Sequence, residues 1–266
     1  MYDRFNRAIN YLRISVTDRC NLRCWYCMPE EGIRLLPHED ILTFDEIAGF
    51  TEVAVRNGIT KVRLTGGEPL VRKGIVTLVK MIAHIGGIED LSMTTNGVLL
   101  KEYAADLKKA GLHRVNISLD TADPARFLQI TRGGNIADVI DGIKSAKDAG
   151  LLPVKINCVI VDSPEEEDAR SVTEFCTENQ LEIRYIYQMD LVRGHFSTVV
   201  GGIGGNCALC NRLRLTSDGK LKPCLFNDIS FDIREMGFEE AFKKAVDLKP
   251  ESGSNNLSGE FYNIGG

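Results

Sequence analysis

The chain has 266 residues, 44% of them hydrophobic and 26% charged, with a formal net charge of −5; that suits one large α/β domain, or a barrel with an appendage, around an ordinary core. The acidic balance excludes a global basic field for nucleic acid or an anionic membrane, so an anionic ligand must be met by locally placed Arg and Lys. No apolar run approaches the roughly 20 residues of a membrane span, and Met1-Tyr2-Asp3-Arg4-Phe5-Asn6 lacks a signal-peptide core, which sets the expectation of a cytoplasmic chain.

From residue 12 to 188 short strands alternate with longer amphipathic helices. The predicted strands are Leu12–Thr17, Lys61–Thr65, Asp90–Thr95, Arg114–Asp120, Pro153–Ile160 and Glu182–Gln188. The predicted helices are Phe44–Asn57, Lys73–His84, Leu100–Ala110, Ile136–Ala149 and Glu165–Asn179. Four helices run into Gly58, Gly86, Gly111 and Gly150, each read as a left-handed helix terminus. Repeated strand–helix units imply a parallel sheet with right-handed crossovers, and six of them a partial (βα)6 TIM-type barrel. From Met189 onward the pattern stops: Gly-rich stretches, a short helix near Phe238–Val246 and a polar tail suggest a small C-terminal extension. The division is thus 1–188 for the barrel and 189–266 for the extension.

Period-two reading separates two strand faces. One is apolar: Leu12, Ile14, Val16; Val62, Leu64; Val115, Ile117, Leu119; Val154, Ile156, Cys158. The other carries Arg13, Ser15, Thr17; Arg63, Thr65; Ser92, Thr94; Asn116, Ser118, Asp120; Lys155, Asn157; Arg184 and Gln188. The apolar face must meet the helices, so the polar face points into the barrel. An (βα)8 barrel fills that space with branched apolar side chains; here the cost of burying cations implies a polar, anionic ligand. The competing reading leaves this face open to solvent, though parallel sheets are seldom bare on one side.

Eight cysteines in a cytoplasmic chain argue for metal ligation over disulfides. Cys158 and Cys176 fall in an apolar strand and a helix and read as core. Cys20, Cys24 and Cys27 have C-x3-C-x2-C spacing. Thiolates this close reach three corners of one cubane cluster, leaving one iron open for a reactant; zinc lacks a nearby fourth ligand. Cys207 and Cys210 are followed by Cys224, again three thiolates, for which a zinc site completed by His195 or an acidic residue is the alternative. Arg212 and Arg214 alternate beside them, and guanidinium forks match phosphate oxygens; alternatively they are solvated surface charges.

The first spacing, with Gly66-Gly67-Glu68-Pro69 one strand later, resembles the radical S-adenosylmethionine (SAM) superfamily, in which the open iron chelates SAM and one-electron reduction releases a 5′-deoxyadenosyl radical. The chain further resembles the GTP 3′,8-cyclases of molybdenum cofactor biosynthesis. That likeness is carried by Leu12-Arg13-Ile14-Ser15-Val16-Thr17-Asp18-Arg19-Cys20, Arg63-Leu64-Thr65-Gly66-Gly67-Glu68-Pro69, Thr94-Thr95-Asn96-Gly97, Asn116-Ile117-Ser118-Leu119-Asp120, Cys210-Asn211-Arg212-Leu213-Arg214-Leu215-Thr216 and the terminal Gly265-Gly266.

The resemblance implies two 4Fe–4S clusters, the first on Cys20, Cys24 and Cys27 and an auxiliary one on Cys207, Cys210 and Cys224. It implies SAM contacts from Tyr26, Gly67, Ser118 and Met189, and a GTP grip by Arg13, Arg63, Thr94, Lys155, Arg212 and Arg214, with Arg184 nearby. It assigns catalytic importance to Arg212, Arg214, Gly265 and Gly266. It also implies a flavodoxin- or ferredoxin-type electron donor, a downstream cyclic pyranopterin synthase, and a monomer or homodimer without nucleic-acid or membrane partners. One departure stands out: seventeen residues separate Met189 from Cys207, where such cyclases carry several tens more. A peptide-modifying radical SAM maturase, an inactive paralogue and a non-enzymatic electron carrier are the competing readings.

Overall fold

The computed structural model describes residues 1–257 and 261–264. Its first six strands are each joined to the next by one helix, or by two between β4 and β5: β1 (Tyr11–Ser15), α1 (Phe44–Arg56), β2 (Lys61–Thr65), α2 (Ile75–Ala83), β3 (Asp90–Thr95), α3 (Leu100–Lys109), β4 (Arg114–Ser118), α4 (Pro124–Thr131), α5 (Ile136–Asp148), β5 (Lys155–Ile160), α6 (Glu167–Asn179) and β6 (Glu182–Tyr187). They are followed by β7 (Arg212–Leu215), β8 (Lys220–Lys222), β9 (Phe231–Asp232), α7 (Ile233–Met236), α8 (Phe238–Asp247) and α9 (Phe261–Ile264). Local chemistry starts the helices: at α1, Thr43 and Glu46 close a reciprocal capping box, which satisfies two otherwise orphaned backbone donors.

One sheet runs β6-β5-β4-β3-β2-β1-β7-β8-β9. Strands β1 to β6 are all parallel, the expected partial (βα)6 barrel. The C-terminal segment does more than cover this barrel. Strand β7 enters it parallel to β1, with Tyr11 opposite Arg212 and Arg13 opposite Arg214, and β8 and β9 continue antiparallel. An alternating Arg212-Leu213-Arg214-Leu215 run fits a strand with one apolar face, and Leu213 and Leu215 are fully buried.

The apolar strand face packs under the helices. Leu12, Ile14, Val62, Leu64, Val115, Ile117, Ile156 and Cys158 share one buried cluster with Phe50, Ile82, Leu107 and Val139. Cys158 and Cys176 both lie in that core, as expected. The opposite face is also out of water: Ser15, Arg63, Thr65, Ser92, Asn116 and Arg214 are buried. That overturns the open-sheet reading.

Two local expectations are corrected. Helix α4 was missed, although Asp123 caps it and Pro124 starts it, a standard start signal. After α2, Gly87 rather than Gly86 takes the left-handed conformation (φ +103°), because the helix ends at Ala83 and an extra turn, with Ile85 N–H donating to Ile82 O, intervenes. The short connector between β6 and β7 folds back, so that Val200 and Tyr185 exchange backbone hydrogen bonds of 3.0 and 3.1 Å and partly pair the β6 edge.

Gly142 in α5 is a packing glycine. A Cβ there would lie 2.3 Å from Gly97 O and 3.1 Å from Leu100 Cβ. Ala normally favours a helix interior over Gly by about 1 kcal/mol, but overpacking costs about 1–3 kcal/mol and here meets backbone. Gly142→Ala is therefore expected to destabilise the protein, seen as a lower urea midpoint at unchanged m; a raised midpoint contradicts this packing.

Candidate functional site

The loops leaving the C-terminal ends of β1 to β6 converge on a cavity of about 210 Å³, the end of a parallel barrel where reactive groups collect. Its walls include Cys20, Cys24 and Cys27 from the β1 loop, Gly66 and Gly67 after β2, Thr94 and Asn96 at the end of β3, Ser118 on β4, and Met189 after β6. All four residues expected at SAM thus border one space: Tyr26, Gly67, Ser118 and Met189.

The glycines after β2 serve a purpose within the chain itself. A Cβ at Gly67 would sit 2.3 Å from Arg19 O, and one at Gly66 2.7 Å from Thr17 O. That closeness lets Gly67 N–H donate to Thr17 O and Glu68 N–H to Arg19 O, each at 2.8 Å. The β2 turn is therefore laced to the segment that leads into Cys20. Glu68 is buried and accepts hydrogen bonds from Leu70 N–H, Thr95 Oγ1 and Asn96 N–H. Burial outweighs these bonds and lifts its pKa to about 7. Asn96 Nδ2 reaches Asn21 Oδ1 at 2.7 Å and Cys20 Sγ at 3.8 Å. Tyr26 Oη donates to Asp120 Oδ2 at 2.5 Å, and Asp120 also takes Val159 N–H.

Burial raises the Cys20 thiol to about 11 and the Cys24 and Cys27 thiols to about 12. Three desolvated thiols on one cavity are poor thiolates until a cation compensates them, and a cationic iron–sulfur core does so. Within the described residues no three His, Cys, Asp or Glu side chains converge on a single metal ion.

Cys207, Cys210 and Cys224 line a second cavity of about 80 Å³ with Arg212, Arg214, Phe196 and Phe226. Cys210 lies just ahead of β7 and Cys224 just after β8, so this triplet sits at the other end of the strands from the first. Met189 borders both cavities. Burial raises the Cys210 thiol, but Lys249 charge, the Arg212 N–H and the Arg212 charge outweigh it and leave the pKa below the ordinary value. Burial keeps Cys224 raised.

Between the triplets, strand register sets a row of cations on the inner face: Arg214 opposite Arg13, Arg13 opposite Arg63, Arg63 opposite Ser92, and Ser92 opposite Arg114. Arg114 is matched by a two-pronged contact to Asp90 at 3.0 and 2.5 Å. Arg63 and Arg212 have no carboxylate partner among the described residues; they flank the Tyr11 ring at 5.5 and 5.8 Å. Burial, then the charge of Arg214, holds Arg13 well below an ordinary guanidinium; burial and Arg212 bring Arg214 to about 10. Tyr11 Oη, Thr94 Oγ1, Asn116 Nδ2 and Arg212 Nε are buried without hydrogen-bond partners. Buried orphans beside crowded like charges call for a polar anion.

Lys155 and Arg184 lie at the β5–β6 side of this face. The Lys155 ammonium is paired with Glu182, its register partner. Arg184 lies opposite Asn157, and its charge bears on Arg63. Gly265 and Gly266 lie outside the described residues. Sequence reasoning assigned no role to Tyr11, Asn96, Asp120 or Lys249. Asn96 and Asp120 stood inside quoted motifs, whereas a Lys-Pro pair in a loop gives no local signal.

The pattern of the radical SAM superfamily matches residues 14–176, and that of Molybdenum Cofactor Synthesis C matches residues 168–253. A GTP 3′,8-cyclase of Thermodesulfovibrio yellowstonii is 43% identical over 310 aligned positions, covering 96% of each chain. One of Moorella thermoacetica is 44% identical, covering 94% of each. The 310 positions exceed this chain's 266 residues, so the relative carries several tens of residues that face gaps here. Among solved structures, Streptococcus suis SuiB bound to S-adenosylmethionine superposes with a TM-score of 0.68 at 17% identity over 91% of this chain, which spans 66% of that longer one; the likeness is one of fold.

Gly67→Ala should push the Arg19 carbonyl away and displace Cys20. After anaerobic reconstitution it should lose most of the about four irons of the first site, read by iron and sulfide analysis with circular dichroism confirming folded protein. Full iron retention contradicts the lacing role.

Proposed function

The chain belongs to the radical SAM superfamily and, within it, to the GTP 3′,8-cyclases, and on that premise we propose that it holds one GTP between a SAM-bearing cluster and an auxiliary cluster and converts it to 3′,8-cyclo-7,8-dihydro-GTP for molybdenum cofactor biosynthesis. Membership brings SAM and a 4Fe–4S cluster; the auxiliary cluster on Cys207, Cys210 and Cys224 is part of the proposal. When bound, the cluster and SAM would supply one-electron chemistry that removes a hydrogen atom, here H3′ of the ribose; C3′ bonding to guanine C8 then takes up one electron and one proton to give the dihydro product.

The observation that carries the substrate assignment is the inner row Arg214–Arg13–Arg63 with Arg212 beside it. A triphosphate relieves the mutual repulsion of these guanidinium groups and offers oxygens to their forks. Thr94, with its unpartnered hydroxyl on the SAM cavity wall, can take a ribose or phosphate oxygen. The base then lies toward Cys210 and Cys224, where Met189, Phe196 and Phe226 provide apolar contact. Lys155 joins the grip only by leaving Glu182.

The chain's own part is containment and placement: reacting atoms at contact distance need no general base, and an interior lined by protein keeps the substrate from water. Tyr26, fixed by Asp120, and the Gly66–Gly67 backbone shape the SAM end. Electron delivery by a flavodoxin- or ferredoxin-type protein and transfer to a downstream cyclic pyranopterin synthase complete the proposal. No helix among the described residues is long and apolar enough to cross a membrane.

Reconstituted protein incubated anaerobically with dithionite, SAM and GTP should yield 5′-deoxyadenosine together with a cyclised nucleotide, detected by mass spectrometry and chromatography. 5′-Deoxyadenosine with GTP untouched overturns the substrate. Charged hydrogen bonds contribute about 1.5–3 kcal/mol each, so Arg212→Ala and Arg214→Ala should each weaken GTP binding about 10- to 100-fold while uncoupled SAM cleavage persists. Equal loss of both activities contradicts their role at the substrate.

A further inference from the structure

Lys249 is one of the largest fully buried side chains, 1% exposed, and it stands in the loop after α8, far in sequence from every cysteine. Its Nζ donates to Arg212 O at 2.8 Å and to Pro223 O at 2.5 Å. An ammonium has three donors, and two of them are taken by these carbonyls. Both acceptors are neutral, and no carboxylate pairs with Lys249 among the described residues. A buried ammonium without an anion is costly; the two carbonyls it holds stand two residues after Cys210 and one before Cys224.

The neighbouring Arg7 makes the contrast clear. It donates to Cys207 O and Glu251 O at 2.8 Å and to Pro250 O at 2.6 Å, which fastens the 249–251 loop to the first cysteine of the triplet. Its charge is answered by Asp3, through Nε at 2.7 Å and Nη2 at 2.6 Å, with both side chains buried. Arg7 thus supplies position without net charge, and Lys249 supplies position and a charge. The first triplet has opposite surroundings: the carboxyls nearest its thiols are Glu68 and Asp120.

We propose that Lys249 is the positioning residue of the auxiliary cluster, bracing the Cys210–Arg212 strand against the Pro223–Cys224 turn and holding a positive charge on that cluster that favours its reduced form. The proposal rests on the auxiliary cluster of the preceding section. Three thiolates on a cubane core leave a net negative charge, which grows by one on reduction, so a cation at contact stabilises the reduced state more than the oxidised one.

The test uses a full-length background in which Cys20, Cys24 and Cys27 are all replaced by Ala, so that only the second triplet can hold iron. Iron and sulfide are assayed and the cluster is titrated potentiometrically by electron paramagnetic resonance, with Lys249 intact, with Lys249→Met and with Lys249→Arg. The background should hold about four irons. Lys249→Met should shift the reduced-to-oxidised ratio at a fixed potential at least tenfold toward oxidised, a midpoint about 59 mV lower, whereas Lys249→Arg stays within about threefold. Iron lost from Lys249→Met and kept in Lys249→Arg supports the bracing role. A background without iron removes the auxiliary cluster itself. About four irons with an unmoved midpoint in Lys249→Met, or iron lost equally from both variants, overturns the role of Lys249 while the cluster stands.

Discussion

Guanidinium groups buried side by side on the inner face of a sheet are the constraint around which this molecule is arranged. Arg214, Arg13 and Arg63 stand in one register row across β7, β1 and β2, and Arg114, at the end of the row, is matched by the two-pronged Asp90 contact. Such a row is costly in an empty barrel and favourable around a polyanion. A net charge of −5 offers no help at long range, so an anion entering this lumen has to be met by this row at contact.

The row exists because β7 joins the sheet. A parallel strand beside β1 places Arg214 against Arg13 and, two residues earlier, Arg212 against Tyr11, whose ring also carries Arg63. The same strand sets the second thiol triplet at the opposite end of the lumen from the first. The cavities of the two thiol triplets are therefore linked through backbone hydrogen bonds of one sheet, and Met189 borders both. The connector that leads to β7 turns back along β6, where Val200 bridges Tyr185.

The two thiol triplets are built for different electrostatic surroundings. The first hangs on a loop laced to the β2 turn by backbone hydrogen bonds that only glycine permits, with buried carboxyls Glu68 and Asp120 close by. The second is braced by two cations from distant parts of the chain, Arg7 and Lys249. One end of the lumen accordingly sits among acids and the other among bases. The two triplets thus differ in their charged surroundings rather than in ligand type, since each offers three thiols.

The strand–helix alternation, the polar strand face and both cysteine triplets were legible locally, because period-two patterning and tight spacing are properties of a few consecutive residues. Motif likeness supplied the expectation of Tyr26, Gly67, Ser118 and Met189 as SAM contacts on the same terms, and the structure gathers these four on one cavity. What only the tertiary structure decided are relations between residues far apart in the chain: β7 against β1, the pairing of Lys155 with Glu182, the hold of Asp120 on Tyr26, and Lys249 on the carbonyls of Arg212 and Pro223. Burial of a lysine or register of a late strand is set by packing free energy summed over the whole fold, and no window of neighbouring residues contains it.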